Sequence, residues 1–289
     1  MVEMVFVIVV LGIIAAIGSG IIAKIYESYI YSRNINNLQT KTELTLTQIS
    51  RLLSFRVRNS TIARREANSS DIVSLPMADP NYKILEWIGY DNEGFEGNAS
   101  GPGWSGLIDL NNPQTNKTQV KTPGSHLSYA EDIINALSYG DVNLSAPNSS
   151  VALIFKGLPN QFDIKQYGWD DWNGTINHNY IFRVKRSGSD ILKFVENNAT
   201  TVYEQYQLAW SAYAIVPEGN TSDSNLTFYY NYRPWMGEKY SDGNKSTLME
   251  HVSTFKFRQI GSTIRLKLCV FNPVGNDFNI TFCKEKVVF

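Results

Sequence analysis

The chain has 289 residues, a net charge of −1 and 43 % hydrophobic residues, enough apolar material for one large domain or two small ones. Its charge balance offers no overall basic field to hold nucleic acid and no acidic excess of the kind that marks a solvating tail. Only two cysteines occur, Cys269 and Cys283: two thiols in a reducing compartment, one disulfide in an oxidising one. The first element is the run from Met4 to Ala23, 20 residues without a charge. As a helix it measures about 30 Å, the thickness of a bilayer core, so it reads as a membrane span. A cleaved secretory signal has a shorter apolar run, about 7–15 residues, after a basic segment, whereas Met-Val-Glu opens this chain. Glu3 is the one charge before the run and Lys24 the first after it, an arrangement that the positive-inside rule orients with the following domain in the cytoplasm. A carboxylate at the edge of an apolar helix is unfavourable unless solvated among headgroups or met by a cation.

The order Glu3-Met-Val-Phe-Val-Ile-Val-Val-Leu-Gly-Ile-Ile-Ala-Ala-Ile17, with Met1 and Val2 before it, resembles the N-terminal segment of type IV pilins and type II secretion pseudopilins. In those proteins a Phe-Thr-(Leu/Met)-(Ile/Val)-Glu-hydrophobic motif follows a short basic leader. The resemblance implies a filament subunit rather than an enzyme. It also implies a leader ending in Gly and two mature residues ahead of Met1, cut and N-methylated by prepilin peptidase. Such a leader removes the conflict with the positive-inside rule. Glu3 would then be the assembly residue, neutralising an N-terminal amine, its own or a neighbour's. The implied location is the inner membrane, crossed once, with the globular part in the periplasm. The implied partners are other pilin or pseudopilin subunits, the inner-membrane assembly platform and the peptidase. Gly20 stands where many pilins have Pro, and Gly18 and Gly20 loosen a helix at about 1 kcal/mol each.

From Tyr26 to Arg56 there is neither Pro nor Gly. Ile35, Leu38, Thr42, Thr45, Ile49 and Leu52 recur at spacings of three and four, with Arg33, Asn37, Lys41, Glu43, Gln48 and Arg51 opposite. The expectation is a helix of about 50 residues, roughly 75 Å long. It spans the membrane over residues 1–24 and continues as an amphipathic helix over 25–58. A β-rich globular domain over 59–289 completes an α+β fold.

Strands are predicted at 83–90, 151–156, 180–185, 191–195, 208–216, 226–232, 252–259, 263–271 and 278–288, and a short helix at 131–137. Alternation on both sides of Gly261-Ser262 marks a tight hairpin. Asn92–Thr122, rich in Gly, Asn and Pro, reads as a long surface excursion. In an exported chain Cys269 and Cys283 would close a 15-residue loop, worth about 3 kcal/mol. That resembles the C-terminal disulfide-bounded region of pilins, and the large domain is most like a minor pseudopilin.

Asn-X-Ser/Thr occurs at 12 positions. At nine of them, Asn68, Asn98, Asn143, Asn173, Asn198, Asn220, Asn225, Asn244 and Asn279, the residue two before is Asp or Glu. With 27 acids in 289 residues, chance gives about one. The extended form resembles the acceptor of the bacterial N-oligosaccharyltransferase, a further implied partner acting in the periplasm. Asn59, Asn116 and Asn148 lack the acid. Turn composition alone also brings Asp, Asn, Gly and Ser together.

No cofactor is expected. Asp91, Glu93 and Glu96 are carboxylates that a loop-bound Ca²⁺ would use, without a complete ligand spacing. His126, His178 and His251 lack metal spacing, and no nucleophile elbow, phosphate loop or dinucleotide fingerprint appears. Trp169-Asp170-Asp171-Trp172 reads as a solvated aromatic turn before it reads as a carbohydrate site. Arg56, Arg58, Arg64 and Arg65 read as solvated charges at the helix exit, with DNA or lipid headgroups as the alternative. Function therefore reduces to three readings. The first is a structural subunit of a filament serving secretion, a pilus or DNA uptake. The second is a filament-tip module binding a secreted substrate or DNA. The third is a membrane-tethered periplasmic enzyme, for which the sequence offers no motif.

Overall fold

A computed structural model describes residues 2–66, 71–157, 164–169, 180–195, 199–274 and 278–289. The helices are α1 (Val2–Ser54), α2 (Asn92–Glu96) and α3 (Leu127–Leu137). The strands are β1 (Ile62–Arg64), β2 (Ile72–Ser74), β3 (Ile84–Gly89), β4 (Gln119–Lys121), β5 (Ala152–Phe155), β6 (Ile181–Arg186) and β7 (Ile191–Phe194). They continue with β8 (Tyr206–Ala209), β9 (Ser211–Asn220), β10 (Asp223–Tyr232), β11 (Asn244–Ile260), β12 (Thr263–Val274) and β13 (Phe278–Val288). The fold is α+β, a long helix packed on antiparallel sheets.

Among the described residues one sheet has eight strands in the order β13-β12-β11-β10-β9-β3-β1-β2, and a second has five, β4-β7-β6-β5-β8. Side chains alternate across a strand, and the strands where the layers overlap bury both faces. Leu85 and Trp87 of β3 face the core under α1, whereas Ile84 and Ile88 face the five-stranded sheet. In β5, Ala152 and Ile154 meet the large sheet while Leu153 and Phe155 meet α3. The order is thus α1, large sheet, small sheet, α3.

The strand predicted over 208–216 is two strands. It breaks at Trp210, so that β8 completes the small sheet and β9 enters the large one. The stretch Asn92–Thr122 is not only a surface excursion, because it carries α2 and β4 and contributes Trp104, Ile108 and Val120 to the core around α3.

The predicted hairpin pairs Ile260 with Thr263 across Gly261-Ser262. Gly261 has φ +59° at the first central position, which a residue with a side chain adopts poorly.

Candidate functional site

The apolar first half of α1 is long enough to cross a membrane and none of it is buried in the fold. Glu3 lies in its first turn, exposed among exposed apolar neighbours. Where the apolar run ends, Tyr26, Tyr29 and Tyr31 are exposed beside Lys24, Glu27 and Arg33. Amphipathic rings at that level are what an interfacial belt requires. The signal was present in the sequence as three tyrosines within six residues directly after the span.

The second half of α1 docks on β11, β12 and β13. Leu38, Thr42, Thr45, Leu46, Ile49 and Leu53 are its buried residues, and each fully buried aliphatic side chain contributes about 1.5–3 kcal/mol. The predicted threonines are tolerated because each finds an acceptor. Thr42 donates to the Leu38 carbonyl at 2.6 Å, and Thr45 reaches the Leu248 carbonyl at 3.4 Å. Glu43 is partly exposed and reaches across to the sheet. It pairs with Lys284 and, at 3.3 Å, with Lys286 of β13, and hydrogen bonds from these two lysines hold its carboxyl below the usual range.

The arginine cluster is divided by the fold. Arg56 is buried and donates to the carbonyls of Leu53 at 2.7 Å, Ser262 at 3.2 Å and Phe289 at 3.4 Å, closing the helix end onto the β11–β12 turn. Arg64 is buried against Glu86, and Arg65 pairs with Asp71 at 2.5 Å. Arg58 alone of the four is exposed.

Cys269 and Cys283 stand directly opposite each other on β12 and β13, with Cα atoms 4.0 Å apart, and form a disulfide. It sits on the face of the sheet away from α1 and staples two strands that already pair.

The acceptor asparagines differ in setting. Asn98, Asn143, Asn220, Asn225 and Asn244 are all exposed. Asn220, Asn225 and Asn244 lie in strands β9, β10 and β11, which extend beyond the strand ranges predicted from the sequence to include them. Asn279 has its backbone in β13 opposite Pro273, as its predicted strand required. Asn68, Asn173 and Asn198 lie outside the described residues, as do His178 and the Asp170-Asp171-Trp172 run.

Five of the preceding acids also have partners in the fold. Glu96 accepts from Asn92, Asp141 from Asn231, Glu218 from Thr227, and Asp242 from the Lys239 backbone, while Asp223 faces His251. Acidity two residues before the asparagine thus has a structural reason as well. One matched pair separates the two. Asn143 and Asn116 are both exposed, and each accepts from the backbone and hydroxyl of its own Ser145 or Thr118 at 2.7–2.9 Å. Asp141 precedes one and Gln114 the other. If the acid is an acceptor signal, glycopeptide mass spectrometry of protein from the native host will find Asn143 modified and Asn116 bare. Equal modification would make the acids structural only.

The carboxylates considered for Ca²⁺ do not converge, and among the described residues no three metal-ligating side chains do. Asp91 points inward. It caps α2 by accepting from the Gly94 N–H at 3.2 Å and takes the Trp104 indole N–H at 3.1 Å. Trp169 is likewise internal, its indole donating to the Ser60 carbonyl at 2.9 Å. Burial pushes the Asp91 carboxyl up to about 7, against about 3.9 in an unfolded chain. Between those values the folded state keeps a proton that the unfolded state has lost, so stability falls as pH rises across the window and levels off above it. Asp91→Asn keeps the cap and removes the slope. Its melting temperature should match the wild type near about pH 4 and exceed it by several degrees above about pH 7. A pH-independent difference would contradict the assignment.

No family model, curated protein or solved structure matches the chain.

Proposed function

We propose that the chain is a structural filament subunit of the type IV pilin and type II pseudopilin class, with the layout of a minor subunit. It waits in the inner membrane with its globular domain in the periplasm and is drawn into a filament with other subunits by an assembly platform. The observation that carries this reading is the division of one continuous helix, Val2–Ser54, into a bare apolar half and a half docked on an antiparallel sheet. A soluble domain has no use for about 30 Å of exposed apolar helix. The same half gives a pilin both its membrane anchor and its packing surface in the filament. The Glu3 motif supplies the processing and assembly chemistry, and the paired cysteines and extended sequons suit an exported domain with an oligosaccharyltransferase as partner.

N-terminal sequencing of the native protein tests the reading. The expected result is an N-methylated residue two positions ahead of Met1, released by cleavage after Gly. A native chain that starts at Met1 without methylation would overturn it.

A further inference from the structure

The β11–β12 hairpin pairs residue for residue, which sets Lys256 opposite Lys267 and Arg258 opposite Arg265. Phe255, Phe257, Leu266 and Leu268 take the face toward α1, so alternation puts all four cations on the other face. All four are exposed. Like charges directly opposite on neighbouring strands are destabilising, and here two such rungs follow each other. Their relief inside the fold is partial. Lys267 lies 3.4 Å from Glu285, with about half of each side chain exposed, and Lys256 donates to the Pro80 carbonyl at 2.6 Å. Among the described residues neither Arg258 nor Arg265 has a hydrogen-bond or ion-pair partner. The loop 76–80 walls the face on one side and makes it an open groove of about 600 Å³, in which Asp79 and Glu285 are the only acids among the described residues.

We propose that this groove binds the sugar–phosphate backbone of double-stranded nucleic acid without reading its sequence. An anion between the members of each rung removes the repulsion, and guanidinium forks take phosphate oxygens bidentately. Successive rungs on one face are about 7 Å apart, close to the step between neighbouring phosphates of one strand. Phe257, the aromatic residue among the groove's described lining residues, is partly buried and packs against the core under α1, so it offers no free stacking platform of the kind single strands use and the cations make backbone contacts.

Another polyanion, a lipid surface, fits less well. A lipid surface is remote if the chain is membrane-anchored as proposed above. Glu43 marks the level of this part of the hairpin on α1, about 19 residues beyond Lys24. That is roughly 30 Å along the helix, several Debye lengths. The array is local, since the whole chain carries −1.

The test is fluorescence anisotropy of a labelled DNA duplex of random sequence, titrated with the full chain in neutral detergent over a salt series. About four phosphate contacts give a log–log salt slope near −3.6. Arg258→Gln/Arg265→Gln should weaken binding at low salt at least tenfold and reduce the slope by about 2, equally for unrelated sequences. Lys256→Gln/Lys267→Gln should do the same, which covers a folding failure of the first variant. Wild-type slopes in both variants, or no salt-dependent binding by the wild type, would overturn the proposal. So would displacement of the DNA by polyglutamate at equal charge, or variant-sensitive binding to phosphatidylglycerol vesicles in place of DNA. Binding is read on the isolated chain, so failure here leaves the filament reading to stand or fall on its processed N-terminus.

Discussion

Glu3→Ala is expected to leave the protein in the membrane fraction and to remove it from filaments. The substitution makes the start of α1 more apolar, so insertion does not suffer. In the proposed filament the apolar halves of neighbouring helices would pack together, and the carboxylate there would be the counter-ion for the processed amine. Removing one partner of an ion pair in an apolar setting costs about 3–5 kcal/mol because the other charge stays behind. At 1.4 kcal/mol per decade that is more than a hundredfold for each subunit contact. Glu3→Gln should behave as Glu3→Ala, since the charge and not the shape is at stake. The measurement is the cross-linked filament fraction relative to membrane-bound subunit. Wild-type assembly in either variant would remove Glu3 from the mechanism.

The second large effect is on stability. Arg64→Met should destabilise the globular domain by about 3–5 kcal/mol. The Arg64 Nε lies 2.6 Å from Glu86 Oε1, and the two side chains are 5 % and 1 % exposed between the sheets. Tyr232 donates to the other carboxylate oxygen at 3.1 Å, and burial, then the Glu86 charge, pushes its hydroxyl pKa well above the usual value. Without Arg64 the carboxylate remains buried with its charge uncompensated. Arg64→Met/Glu86→Leu should recover most of the loss, because an apolar pair of similar volume fills the site without desolvating a charge. Urea unfolding of the three proteins in one detergent is the check. A loss below about 1 kcal/mol in the single variant would mean that Glu86 reaches water or takes up a proton.

Periodicity and turn chemistry carried much of the architecture. A 31-residue stretch without Pro or Gly, with apolar residues at spacings of three and four, can only be satisfied as one helix, and α1 runs unbroken to Ser54. The turn at Gly261-Ser262 starts the pairing of β11 and β12, the bounds of β13 coincide with its predicted run, and the register of β12 with β13 brings Cys269 opposite Cys283. These are local signals, each complete within a few tens of residues.

The tertiary structure decided whatever depends on partners remote in sequence. Strands β1, β2 and β4 have three residues each, too few to show a period. The polar start of β11 is a strand because β10 supplies its ladder. The arginines near the helix exit looked alike in sequence, yet Arg56 is buried because Ser262, 206 residues on, presents a carbonyl to it. Arg64 is buried because Glu86 does the same with a carboxylate. Asp91, in sequence one of three loop carboxylates without a complete ligand spacing, is an internal cap because Trp104 and Gly94 offer it donors. The four cations of the β11–β12 face alternate inconspicuously with apolar residues along the chain, and only strand pairing sets them opposite one another. A local pattern states which residues can be buried. Whether a polar one is buried depends on which donors and acceptors the rest of the chain brings to it, and that is a property of the assembled layers.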